Sequence, residues 1–303
     1  MTAIAKTAAH KVKQTRADKT FDILNYIILT FCFLIVAYPL YFIVIASVSD
    51  PVDVYAGKVF LLPSRASLDG YRRILEYKSF FTGYRNTAIY TVVGTLVNVA
   101  LTIPAAYALS RKDLVGRNAV MMMITFTMLF SGGMIPSYLL VCDPGLYNSM
   151  WALILPGAVS SWNLIVARTF FQQTIPDELL EAAQLDGATN NQFFLRVVLP
   201  LSKPILAVMV LFYAVGHWNS YFSAMIYLSD PNKHPLQLVL RSILFENSFG
   251  DMVEDAANLA AQQRLGDMIK YGIIIASSLP LLILYPFLQR YFIQGVMIGA
   301  VKG

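Results

Sequence analysis

The sequence predicts an all-α, polytopic membrane protein with six transmembrane helices. Two observations carry that expectation. Of 303 residues, 57% are hydrophobic and only 14% are charged, whereas soluble domains run near one quarter charged. The apolar residues also gather into runs of the ~20 residues that cross a hydrocarbon core of about 30 Å.

The runs lie at roughly 23–48, 84–110, 119–141, 150–170, 203–228 and 268–293. The first is too long for a signal-peptide core and is kept as a span. Pro39, Pro104, Pro156, Pro280 and Pro286 fall inside runs. Neighbouring helices re-satisfy the carbonyls a proline frees in a membrane, so each is read as a kink. Cys32 and Cys142 are the two cysteines. Without a CxxC or a Cys/His cluster, they read as packing residues, and no metal or redox site is expected.

An even number of spans puts both termini on one side. Lys6, Lys11, Lys13, Arg16 and Lys19 load the N-terminal arm, and Arg111, Lys112 and Arg117 flank one short turn. The short turn 143–149 on the other side has no Lys or Arg. Basic residues stay in the cytoplasm, so both termini are assigned there. The net charge of +5 is then a topology signal rather than a nucleic-acid footprint. The resulting division is a basic arm (1–20), a six-helix membrane domain (21–293) and a cytoplasmic tail (294–303). The outer loops 49–83 and 229–267 are long and polar, fit either for a partner or for plain connection.

The cytoplasmic stretch 174–200, TIPDELLEAAQLDGATNNQFFLRVVLP, has its own helical punctuation. Thr174 with Asp177 three positions on reads as an N-cap, and Asp177 and Glu178 sit at the positive end of the helix dipole. Gly187 ends the helix in the left-handed conformation. Thr189 with Gln192 is a second capping box, and Pro200 biases Leu199 away from helix. Two short helices are expected, about 175–186 and 190–199, joined at a glycine corner. Ile175, Leu179, Ala182, Ala183 and Asp186 share a face of the first. Phe193, Phe194, Val197 and Val198 form an apolar stripe on the second. Such a pair rests on lipid or fits a cleft in another protein; acids beside tiny residues favour the cleft.

Several chemistries find no residues. There is no GxxxxGK[ST] phosphate loop, no HExxH and no GxSxG, and His10, His217 and His234 are scattered. No catalytic residue is assigned, and the energy for any transport must come from a partner. The fifth run, LFYAVGHWNSYFSAMIYL, places Trp218, Asn219, Tyr221, Phe222 and Tyr227 together. Aromatic faces and amides are what sugars bind, and polar groups in a span face a bundle interior or a water-filled route. The same residues also suit an aromatic belt or helix packing. Asn163 and Asn98 are weaker candidates on other spans.

Glu181-Ala182-Ala183, Gly187, Val197 and Leu199-Pro200 resemble, at every spacing, the EAA loop of permease subunits in binding-protein-dependent ABC importers. Asp186, Ala188, Phe194, Pro204 and the C-terminal QGVMIGAVKG resemble the carbohydrate branch, close to the maltose-permease type. The resemblance runs from about residue 20 to Gly303. It implies a type I ABC importer permease fold in a prokaryotic cytoplasmic (inner) membrane. The expected partners are a second homologous permease, two ATP-binding subunits and an extracytoplasmic solute-binding protein. ATP and magnesium would be bound by the ATPase, with no cofactor in this chain. Glu181 would pair with a basic group in the ATPase groove, Ala182 and Ala183 would permit close docking, and Gly187 would turn the chain. The cargo would be an oligosaccharide or modified sugar. Lys58, Arg65, Arg72, Arg73 and Lys78 in the outer loop 49–83, against Asp50, Asp53, Asp69 and Glu76, give a faint hint of an acidic glycan. The competing reading is a secondary transporter or channel driven by an ion gradient. It predicts acidic residues inside spans, and none is found there.

Overall fold

A computed structural model describes residues 15–249 and 269–286. Helices dominate, and the one β feature among the described residues is an isolated bridge between Ser49 and Ala66. The chain divides into two compact units at Leu68.

The first unit is led by helix Arg16–Ser47. It starts ahead of the apolar run because Thr15 and Asp18 form a reciprocal capping box: Asp18 N–H donates to Thr15 Oγ1 at 3.2 Å and Thr15 N–H to Asp18 Oδ2 at 2.8 Å. The arm expected over 1–20 therefore gives way to helix at Arg16; residues 1–14 lie outside the described residues. The helix passes through Pro39 and leaves Phe21, Ile28, Phe33 and Leu40 exposed, together with Cys32, which the sequence alone reads as a packing residue. A helix apolar on all sides suits lipid. Asp50 then caps the short helix Pro51–Tyr55 through Val52 N–H at 2.9 Å.

The second unit is built around helix Lys78–Ser110. It packs on helices Ser161–Thr174, Lys203–Trp218 and Leu236–Phe249. Its buried face carries Thr87, Thr95, Asn98, Thr102 and Ala106, small or hydrogen-bonding residues of the kind that hold membrane helices close. At one end Ile103, Ala106, Leu109, Leu164, Phe171, Ile205 and Met209 form the main core. At the other, Ile74, Phe80, Trp218, Leu236, Val239 and Ile273 form a second.

Three helices are long and apolar enough to cross a membrane alone: Arg16–Ser47, Lys78–Ser110 and Ile269–Pro286. The other three runs are not continuous helices. The third is Arg117–Leu129 followed by Met134–Cys142 with a bend of 114°. Gly132 and Gly133 make the break, Gly133 at a φ of 87° that disfavours any side chain. The fourth falls into Trp151–Ile154, a turn over 155–160 containing Pro156-Gly157, and Ser161–Thr174. The fifth stops at Trp218, and Phe222–Tyr227 is a separate short helix.

The outer loop 229–267 is also not simply polar. Leu236–Phe249 is a helix whose Leu236, Val239, Leu240 and Ile243 are buried against the 78–110 helix. Its start is fixed by Leu236 N–H donating to Thr87 Oγ1 at 2.7 Å. Asn86 Nδ2 reaches Asn232 O at 2.7 Å and Tyr90 OH reaches Lys233 O at 2.8 Å.

Candidate functional site

The 174–200 segment forms a helix–turn–helix with sharper ends than its sequence predicts. Its first helix is Asp177–Leu185. Thr174 is not its N-cap: it belongs to the preceding helix, because Pro176 forces Ile175 into extended backbone (φ −111°, ψ 93°) and itself occupies the cap. At the other end Gly187 adopts φ 76°. Gly187 N–H donates to Gln184 O at 3.0 Å and Ala188 N–H to Ala183 O at 2.9 Å, the paired bonds of a Schellman motif. Thr189 then caps the next helix: its N–H meets Gln192 Oε1 at 2.9 Å and its Oγ1 receives Gln192 N–H at 3.3 Å.

That second helix does not stop at Leu199. It continues over Asn190–Leu201, with a π-helical turn at Phe194–Val198 and Leu199 in the right-handed helical region. The wider turn interrupts the i→i−4 ladder just ahead of Pro200, so the missing proline N–H and its ring are accommodated. The chain then bends by 80° into Lys203–Trp218.

The face shared by Leu179, Ala182 and Asp186 turns away from the bundle. Leu180 is buried and Ala183 half-buried in the main core, while Leu179, Ala182 and Asp186 face outward with Glu181. Leu185 is 90% exposed. Phe193 and Val198 are buried and Phe194 and Val197 pack beside them, as the stripe predicts. Leu199 is half-buried and Pro200 exposed. Full burial of side chains such as Leu180 and Phe193 is worth about 1.5–3 kcal/mol each, so the segment is seated firmly on the membrane helices. Lys112 adds an ion pair, Nζ to Asp177 Oδ2 at 2.7 Å. The hydrogen bond from Lys112 holds the Asp177 carboxyl below its usual pKa, and Asp177 raises that of Lys112. Glu181, Ala182, Asp186 and Leu185 are left as an outward surface of two acids, a methyl group and one large apolar side chain.

The pathway candidates do not form one group. Trp218 is buried; its indole N–H donates to Ser277 O at 3.0 Å and its ring meets Tyr84 edge-on at 5.6 Å. Asn219 is exposed, its amide returned to Val215 O at 3.0 Å. Tyr221 and Phe222 are exposed and T-shaped to each other, with the Arg241 guanidinium 5.9 Å from the Tyr221 ring. Asn163 is buried near the start of its helix, its N–H received by Ser160 Oγ at 3.4 Å.

A polar clamp that sequence reading saw only in part surrounds the 155–160 break. Asn98 Nδ2 donates to Gly157 O at 3.0 Å, and Asn98 Oδ1 lies 3.2 Å from His217 Nε2. Because the Asn98 amide gives its N–H to a carbonyl, its oxygen must accept, and His217 carries its proton on Nε2. One turn along, Tyr213 OH lies 2.7 Å from Thr102 Oγ1 and receives Ser160 N–H at 3.1 Å. Non-helical backbone at membrane depth persists only where protein or water satisfies it, and these side chains do so. The i, i+4 pairs 98/102 and 213/217 were readable signals; that both meet the same break was not.

Within the second unit the described residues thus form a bent, clamped helical bundle with a helix–turn–helix seated at one end. Residues 79–298 match the family model of the binding-protein-dependent transport system inner membrane component. The chain belongs to this family. It is 41% identical over 288 residues to the polygalacturonan/rhamnogalacturonan transport system permease protein YtcP of Bacillus subtilis, covering 94% of this chain and 99% of that one. It is 29% identical over 304 residues to the arabinooligosaccharides transport system permease protein AraQ of Halalkalibacterium halodurans, covering 94% and 99%. Among solved structures, a bacterial ABC transporter involved in the import of the acidic polysaccharide alginate matches with a TM-score of 0.84 and 35% identity, over 93% of this chain and 100% of that chain. The chain thus has the type I ABC importer permease fold and is a non-catalytic membrane component. Membership implies a separate ATP-hydrolysing subunit and a solute-binding protein. A secondary transporter is set aside.

Proposed function

We propose that this permease is one half of an ATP-driven importer of acidic oligosaccharides, coupled to its ATPase through residues 174–200. The observation that carries the reading is that segment: capped at Thr189, turned at Gly187, seated by Leu180 and Phe193, and presenting Glu181, Ala182, Leu185 and Asp186 outward. A rigid knob with small residues at its tip is what a cleft in a moving subunit can hold. Glu181 pairs with a basic group of that cleft, Ala182 and Ala183 allow close approach, and Leu199-Pro200 joins the knob to the fifth span. ATP and magnesium are bound by the ATPase, and this chain holds no cofactor.

The complex we infer has six crossings from this chain, a second homologous permease, two ATPase subunits and an extracytoplasmic binding protein. Both termini are cytoplasmic, and the membrane domain takes up residues 21–293 with a tail at 294–303. Asn219, Tyr221 and Phe222 line the sugar route; Trp218 and Asn163, the other candidates, are buried. The acidic cargo follows from the relatives that carry polygalacturonan or alginate and from the basic residues of the outer loop.

The test is uptake of labelled oligogalacturonides by proteoliposomes holding the assembled complex. Uptake that needs ATP and survives ionophores supports the reading. Uptake that runs without ATP and collapses with an ionophore refutes it.

A further inference from the structure

The segment 177–201 is joined to the membrane helices by a covalent route and by packing, in which Leu180, Phe193 and Val198 are buried. The covalent one runs through the π-helical turn, Pro200 and the 80° bend at Ser202. Ser202 is fully buried, and its hydroxyl has no hydrogen-bond partner. This route contains a wide turn, a proline and an unsatisfied hydroxyl, which are features of hinges rather than of rigid levers.

Within that packing, one aromatic ring touches both the segment and a second membrane helix. Tyr107 projects from the 78–110 helix, and its ring contacts Phe194, the first residue of the π turn, at 5.1 Å with a tilt of 32°. The same ring meets Phe171 of the 161–174 helix edge-on at 5.7 Å. Tyr107 is thus gripped between the segment and a helix whose Phe171 is 1% exposed. About one and a half turns back toward the start of the 78–110 helix begins the Thr102–Tyr213 and Asn98–His217 clamp. A displacement delivered at Phe194 therefore meets a packed aromatic contact and then, beyond Pro104 of the same helix, a hydrogen-bonded one.

We propose that Tyr107 is a positioning residue for coupling: its ring, held between Phe171 and Phe194, makes the 177–201 segment move with the 78–110 helix. The proposal rests on the reading of that segment as the ATPase-docking element. Close packing is what makes such a link discrete rather than elastic. The Lys112–Asp177 pair lies near the same junction but is open to solvent and cannot enforce it.

The experiment uses the purified complex, with Cys32→Ser and Cys142→Ser in the permease and spin labels on Asn191→Cys and Leu96→Cys, both exposed positions. Distances are measured at rest and after trapping with ATP and vanadate. The wild-type ring is expected to keep the distance unchanged by trapping. Tyr107→Ala is expected to match it at rest and to shift by about 2 Å or more on trapping, the scale of helix displacements in switching proteins. Tyr107→Phe, which keeps both ring contacts, is expected to behave as wild type. A Tyr107→Ala complex that hydrolyses ATP and shows no shift overturns the proposal alone. A shift already present at rest also overturns it, because Tyr107 would then be packing only. If no ATPase accompanies the wild-type chain, the docking reading and this inference fall together.

Discussion

Gly94 leaves the room that His217 fills. A Cβ at this position would lie 2.4 Å from His217 Nε2. The ring can rotate away, but only by leaving Asn98. Gly94→Ala should therefore cost about what a net hydrogen bond contributes, roughly 0.5–1.5 kcal/mol. Once His217→Ala has already removed the ring, it should cost little more. A double-mutant cycle on thermal stability in detergent checks this; additive losses would show that Gly94 and His217 act separately. Tyr107 belongs to the same scale. Its aromatic neighbours come from helices far apart in sequence, which is why no local pattern singles it out.

Among the elements, the helix–turn–helix was the most legible in the sequence. Gly187, Thr189 and Gln192 are local signals, and each acts as its residue type dictates. Thr174 failed as a cap because a second local rule, the restriction before Pro176, outweighs it. Pro200 failed as a stop because the π turn absorbs it, and a π turn has no sequence signature. Which of Leu179 and Leu180 is buried is not readable locally, since both are leucine and only tertiary packing chooses. The Lys112–Asp177 pair joins this element to the turn after the 78–110 helix. The Asp177 pKa lies below its ordinary value, so the pair stabilises above the usual carboxylate range and is lost as pH falls through the folded-state value. Lys112 lies above its ordinary value, so its share is complete below that value and fades only as pH rises past the folded one. Wild type should thus exceed Asp177→Asn slightly in thermal midpoint near neutral pH. The difference should disappear in acid and shrink in high salt. A gap that persists under both conditions would assign the effect to the helix dipole or to packing.

For the whole molecule, apolar runs located the membrane helices but hid their breaks. Hydropathy counts residues and is blind to Gly132-Gly133, Pro156-Gly157 and Asn219-Ser220 when apolar residues surround them. The breaks nevertheless shape the bundle: one is clamped by Asn98 and Tyr213, and another separates Trp218 from Phe222. Polar residues in the runs were read as route candidates, yet several satisfy the protein's own backbone. Family membership fixes the class of transporter, and we propose the seated segment as the place where its ATPase docks. The most direct test of this is to tag the chain, extract it in mild detergent and identify what accompanies it, in wild type and in Glu181→Lys. An ATPase subunit and a second permease are expected with wild type, and loss of most of the ATPase with the variant while the second permease stays. Equal recovery of the ATPase with both forms would contradict the docking role of Glu181 and of the surface around it.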